Sequence, residues 1–92
     1  NKFLMRVFEE LFDASGDEIY IREMSQYVTL HEPVNFYTVL ESACRKNETA
    51  IGYRLMEEAK SIEKNYGVVV NPVKSEIVTF NERDMVIVIA AH

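Results

Sequence analysis

The reactive side chains of this sequence are few and far apart. Its one thiol, Cys44, and His31 are the first pair that suggests nucleophilic chemistry. A thiol nucleophile needs a base within reach and a lowered pKa. Cys44 follows the apolar Ala43 in a stretch of helical periodicity, which favours a small core or near-surface residue over a nucleophile. Thiol alkylation no faster than that of free cysteine would remove the enzyme reading. The run Asp13-Ala14-Ser15-Gly16-Asp17-Glu18 superficially resembles a calcium loop. That loop needs glycine at its sixth position and a bidentate glutamate at its twelfth. Here glycine comes fourth and the twelfth position is Met24, so the pattern fails. Glu9, Glu10, Asp13, Asp17 and Glu18 still make an acidic neighbourhood able to attract a divalent cation, although a solvated acidic face explains them as well. His31 and His92 are too isolated for zinc, and no metal site is assigned. There is neither a GxGxxG nor a P-loop, so no catalytic residue and no cofactor is expected. Tyr53 and Arg54, with Asn71, offer an aromatic body, a forked cation and an amide for a polar ligand such as an anion or carboxylate. A sheet edge and a salt bridge are the plainer reading of the Tyr53-Arg54 pair.

Charge narrows the partners. Ten basic residues stand against fifteen acidic ones, a net charge of −5. Such a field repels phosphate backbones, and no basic stretch interleaved with aromatics offsets it. Nucleic acid is not an expected partner. The longest apolar run, 85–91, is far too short to cross a bilayer. A single cysteine excludes an internal disulfide and fits a reducing compartment. Asn1 in place of an initiating methionine suggests either a segment of a longer chain or a processed terminus.

The elements that must position these residues are legible from periodicity. Leu4, Val7, Phe8 and Leu11 recur at helical spacing, with Phe3 and Phe12 widening the stripe, and Gly16 supplies a stop. Residues 1–15 therefore read as a helix linking to a preceding lobe. Its three phenylalanines call for more cover than so small a chain provides, so Phe3, Val7, Phe8 and Phe12 are interface candidates. Residues 18–24 read as a strand, and 27–30 as its extension or re-pairing. Pro33 breaks the chain, and Asn35 caps a helix from Phe36 to about Lys46, with Phe36, Val39, Leu40 and Ala43 on one face. Alternation over 49–55 puts Ile51, Tyr53 and Leu55 on one side and Gly52 and Arg54 on the other. A short helix or ordered loop over 57–65, a strand at 68–70 stopped by Asn71-Pro72, and strands at 76–80 and 85–90 follow. The polar segment 81–84 is expected to join the last two strands as a hairpin. Four consecutive β-branched residues, Val86 to Ile89, predict a strand covered on both faces. Composition and pattern together give one small two-layer α+β domain, a mostly antiparallel or mixed sheet of about five strands with two or three helices.

Several segments resemble the CASTOR/POLLUX ion-channel family. They are Glu18-Ile19-Tyr20-Ile21, Ala50-Ile51-Gly52-Tyr53-Arg54, Gly67-Val68-Val69-Val70-Asn71-Pro72 and Asp84-Met85-Val86-Ile87-Val88-Ile89-Ala90. They occur in the expected order over about residues 16–91. The resemblance implies a regulator-of-potassium-conductance (RCK) domain, and within it the smaller C-terminal lobe, a TrkA-C-like fold. Residues 16–92 would then form a regulatory lobe and residues 1–15 the link to a Rossmann-type lobe. The implied partners are that lobe, the membrane pore of the parent chain, and a second copy in a homodimer or larger ring. A small ligand or divalent cation would be the effector, although no calcium-ligand motif carries over. The implied role is effector sensing on the cytoplasmic face of the membrane, coupled to pore gating. The alternative is a ligand-sensing regulatory subunit or domain of a potassium or solute transporter.

Overall fold

A computed structural model describes residues 17–91. The organising element is the last strand, β6 (Met85–Ala91), in which five consecutive residues, Val86 to Ala90, are buried. β-Branched side chains pack well on a pleated surface, and a strand lacking polar alternation is stable only where both faces are covered. β6 accordingly lies inside a four-stranded antiparallel sheet of order β1-β6-β3-β4. Its neighbours are β1 (Asp17–Glu23) and β3 (Glu48–Arg54), and β4 (Val68–Val70) extends the sheet beyond β3.

Register decides which side chains meet. Tyr20 pairs with Val88 and Arg22 with Val86, while Ala50 pairs with Val88 and Tyr53 with Val86. These residues share the face covered by the helix α1 (Phe36–Arg45), whose Phe36, Val39 and Ala43 are buried in the same core. Asn35 starts α1 in extended conformation, its side chain accepting from the Thr38 amide at 3.2 Å. Phe36, Tyr53 and Phe80 stack in sequence, with ring centroids 6.1 and 5.2 Å apart. Edge-to-face contacts of this kind add about 0.5–1.5 kcal/mol to simple burial.

The smooth alternation expected over 49–55 is broken by a bulge. Ile51 and Gly52 together stand opposite the single Ile87, which returns Ala50 and Tyr53 to one face. Gly52 is needed there, since a Cβ would lie 2.2 Å from the Val69 carbonyl oxygen across β4. Bulges re-aim side chains and bend a strand in this way.

A second, two-stranded antiparallel sheet pairs β2 (Pro33–Asn35) with β5 (Ile77–Thr79) through three residue pairs. This corrects the hairpin expected around 81–84. The segment does turn, with the Asp84 amide donating to the Asn81 carbonyl at 3.2 Å, but β5 pairs with β2 and not with β6. Both edges of β6 are already occupied, and Phe80 dives into the core while its carbonyl accepts from the His31 amide at 2.8 Å. Residues 27–30 form turns and not strand, because the amides of Tyr27 and Val28 fold back onto the Met24 carbonyl.

The low-complexity-free stretch between β3 and β4 resolves into two short 3-10 segments, Met56–Glu58 and Ile62–Gly67. The second ends in three successive left-handed residues, Asn65, Tyr66 and Gly67, at φ 52°, 58° and 82°. At Gly67 a Cβ would come within 2.2 Å of the Leu55 carbonyl oxygen. The expected strands at 18–24, 68–70 and 85–90 and the helix from Phe36 are all present, and the whole is a small α+β domain with six strands among the described residues. The expected helix over 1–15, with Phe3, Val7, Phe8 and Phe12, lies outside the described residues.

Candidate functional site

A cleft of about 270 Å³ opens between the edge of the large sheet and the start of α1. One wall comes from the large sheet, namely Ala50 and Ile51 at the β3 bulge and Val70 and Asn71 at the end of β4. The other comes from the start of α1 and the segment before β5, namely Phe36 and Lys74. Two backbone hydrogen bonds hold the walls in place. The Phe36 amide donates to the Lys74 carbonyl at 3.0 Å, and the Asn71 amide donates to the Ile51 carbonyl at 2.8 Å. Asn71 adopts a left-handed conformation, φ 53°, which asparagine tolerates better than most residues. That turn ends β4 and swings the chain toward Lys74.

The cleft's floor is apolar, and its polar lining residues are Asn71 and Lys74. Lys74 is half-buried and makes no ion pair or side-chain hydrogen bond among the described residues. The other polar clusters are internally satisfied. Asp84 is 2% exposed, and its two carboxylate oxygens accept from the amides of Met56 and Asn81, each at 2.9 Å. It thereby fastens the β3–β4 connection to the turn before β6, a structural assignment. Glu48 accepts a short hydrogen bond from the Tyr27 hydroxyl and pairs with the Arg22 guanidinium at 3.3 Å. Burial, reinforced by the hydrogen bond to Glu48 and its negative charge, holds the Tyr27 phenol well above its ordinary pKa. Lys46 lies 5.3 Å from the centre of the same ring. On the surface His31 Nε2 meets Glu82 Oε1 at 2.5 Å. The Glu82 carboxyl is lowered by a hydrogen bond from its own backbone and by His31.

Sequence comparison supplies the context for this geometry. The chain is 36% identical to a probable ion channel POLLUX of Arabidopsis thaliana over 94 aligned residues, 99% of this chain. It is 36% identical to the ion channel CASTOR of Lotus japonicus over 61% of its length, and 34% identical to the ion channel DMI1 of Medicago truncatula over 67%. The chain belongs to the CASTOR/POLLUX ion-channel family. It spans 10% of the Arabidopsis relative and 7% of the other two, so it corresponds to a domain of that family and not to a whole channel. No protein-family model matches the chain. Among its described residues no helix is long and apolar enough to cross a membrane.

Within this CASTOR/POLLUX domain the residues singled out from sequence go to different places. Tyr53 is 5% exposed, wedged between Phe36 and Phe80, and burial raises its phenol pKa. Arg54, the next residue, donates from Nε to the Tyr66 carbonyl at 3.0 Å. Neighbours on a strand point to opposite faces, so the pair does not converge. Of the three ligand candidates, Asn71 alone lines the cleft. Cys44 is exposed on α1, and His31 is engaged by Glu82. Of the acidic neighbourhood, only β1 lies among the described residues, where no group of three or more His, Cys, Asp or Glu side chains is disposed to hold a metal ion. Lys74 and the β3 bulge were missed from sequence. A lone lysine between turns carries no periodic signal, although Gly52 inside a strand pattern was a bulge signal that could have been used.

Proposed function

We propose that this domain is an effector-sensing regulatory module of a CASTOR/POLLUX-type cation channel, working at the cytoplasmic face of the membrane. The observation that carries the proposal is the match of nearly the whole chain to a small fraction of proteins named as ion channels. A segment of that size, built around a two-layer core with a cleft between its large sheet and the start of α1, suits binding and relay better than conduction. Its polar groups support the same reading. Asp84 and Glu48 are committed to backbone amides and to a buried tyrosine, and the exposed thiol of Cys44 has no bond to His31, which is engaged by Glu82. That arrangement supports a non-enzymatic role.

The finer reading is an RCK-type C-terminal lobe that self-associates and transmits effector binding to the pore. An effector that prefers one arrangement by about 100-fold biases gating by about 2.7 kcal/mol per site, and several subunits add their contributions. Potassium is the proposed ion class. Homodimerisation is part of the proposal. Light scattering should give a dimer, and Phe8→Asp should weaken it more than an equally polar change at Glu9. Monomer at high concentration would remove the dimer.

The functional test is a chimera in which this domain replaces the matching segment of Lotus japonicus CASTOR, recorded in planar bilayers. Asp84→Asn within the grafted domain, which weakens the tie between the β3–β4 connection and the turn before β6, should change open probability while single-channel conductance stays the same. Unchanged open probability in that variant would refute the regulatory reading.

A further inference from the structure

We propose that the cleft between the large sheet and the start of α1 takes a small monoanion with an apolar body, a carboxylate on a single ring or branched chain, with Lys74 as its counter-charge. The inference rests on the effector-sensing reading and names the chemical class of effector at its cleft. Four lining residues, Phe36, Ala50, Ile51 and Val70, offer hydrocarbon, and the two others offer an ammonium and an amide.

Lys74 is what sets this place apart. The chain has fifteen acidic residues for ten basic ones, yet Lys74 is half-buried without an acidic partner among the described residues. Among the other described basic residues, Arg22, Arg45 and Lys64 pair with a carboxylate, Arg54 donates to the Tyr66 carbonyl, and Lys46, Lys60 and Arg83 are exposed. A half-buried cation facing an apolar cleft is favoured by an incoming anion, since partial desolvation strengthens the pairing. The positive end of α1 begins at Phe36 on the same wall and adds to that preference. A divalent cation is disfavoured, because Lys74 repels it and no carboxylate lines the cleft. The volume, about 270 Å³, lies near the lower end of ligand pockets and is too small for a dinucleotide. Inorganic phosphate satisfies the charge but leaves the apolar floor wet.

The location gives binding a consequence. The ligand touches the bulge of β3 and the end of β4 on one side, and the start of α1 and the approach to β5 on the other. Occupancy therefore ties the β3–β4 edge of the large sheet to the start of α1.

The experiment is an amide NMR titration of the 92-residue chain with phenylacetate, with its neutral analogue phenylacetamide, and with inorganic phosphate. Phenylacetate should shift the amides of Ala50, Ile51, Val70, Asn71 and Lys74 saturably, at least about tenfold more tightly than either control. Lys74→Met, which keeps the stem and removes the charge, should bring phenylacetate down to the level of phenylacetamide. Val70→Phe, which fills the cleft, should weaken both while the amide spectrum stays dispersed. Equal affinity for the acid and the amide, shifts confined to residues elsewhere, or wild-type affinity in Lys74→Met would each overturn the assignment. Any of these results would leave the chimera experiment, and the regulatory reading it tests, untouched.

Discussion

The large sheet and the small one are held by different means. β6 is paired along its length to both neighbours, seven residue pairs to β1 and six to β3, and its central side chains are buried. The β2–β5 sheet has three pairs, and its Ile77 is 60% exposed. It is tied down by Val34 and Val78 packing against the core, by the buried Phe36 and Phe80 that follow its strands, and by a few single bonds, chiefly Phe36 to Lys74 and His31 to Phe80 through the backbone. Two-stranded ribbons are marginal by themselves. A domain that keeps a long-paired sheet beside a short ribbon has its more adjustable part already marked out. Local openings are drawn from such low-stability regions.

Substitutions can break or sharpen that contrast. The largest effect is expected from Val88→Asp, which buries a charge with no partner. A cost above about 4 kcal/mol should leave the isolated domain unfolded by circular dichroism, whereas Ile77→Asp on the small sheet should change stability by no more than about 0.5 kcal/mol. Similar losses at both positions would erase the distinction. Next comes Asp84→Ala, which strips two buried amides of their acceptor and should cost about 2–4 kcal/mol in urea denaturation. Asp84→Asn, able to replace one acceptor, should cost less.

Tyr27→Phe should cost about 1 kcal/mol and alter the alkaline limb of the stability curve. The raised Tyr27 pKa means that the fold favours the neutral phenol. Its contribution is intact below the ordinary tyrosine value near 10 and is lost as pH rises beyond it. Wild-type domain should therefore lose more stability above about pH 10 than Tyr27→Phe, which keeps the similar contribution of the buried Tyr53. The smallest effect belongs to the His31–Glu82 clip. Glu82 is lowered, so its contribution is present above the ordinary glutamate value near 4.3 and fades as pH falls through the depressed one. Glu82→Gln should flatten that acidic loss slightly and shift the small sheet more than β6. A shift larger than that of Asp84→Ala would contradict the ranking.

Much of the large sheet was readable from sequence, and for a physical reason. Val86 to Ile89 has no place except a doubly covered strand, and Asn35 before Phe36, Val39 and Ala43 marks a helix start and its buried face. The small sheet was harder to read. Residues 33–35 and 77–79 are too short for periodicity, and their partner choice depends on β6 already being occupied, a tertiary fact. The same competition turned the expected hairpin at 81–84 into a mere turn. Alternation also misplaced side chains around the bulge, where one extra residue returns Tyr53 to the core. The cleft was legible only through Asn71. Its other residues come from three separate elements and a turn, and no local pattern announces that Lys74 will stand beside Phe36.

Native-state hydrogen exchange across the two sheets is the most direct test of the account. The amides of β6 that bond to β1 and β3 should exchange only through global unfolding, with a denaturant slope equal to that of the whole domain. Those of β2 and β5, including Val34 and Val78, should exchange through a smaller opening with little denaturant dependence, and should slow when the cleft is filled by phenylacetate. Equal protection and equal slopes in both sheets would show a single rigid unit, with no separate part for an effector to move.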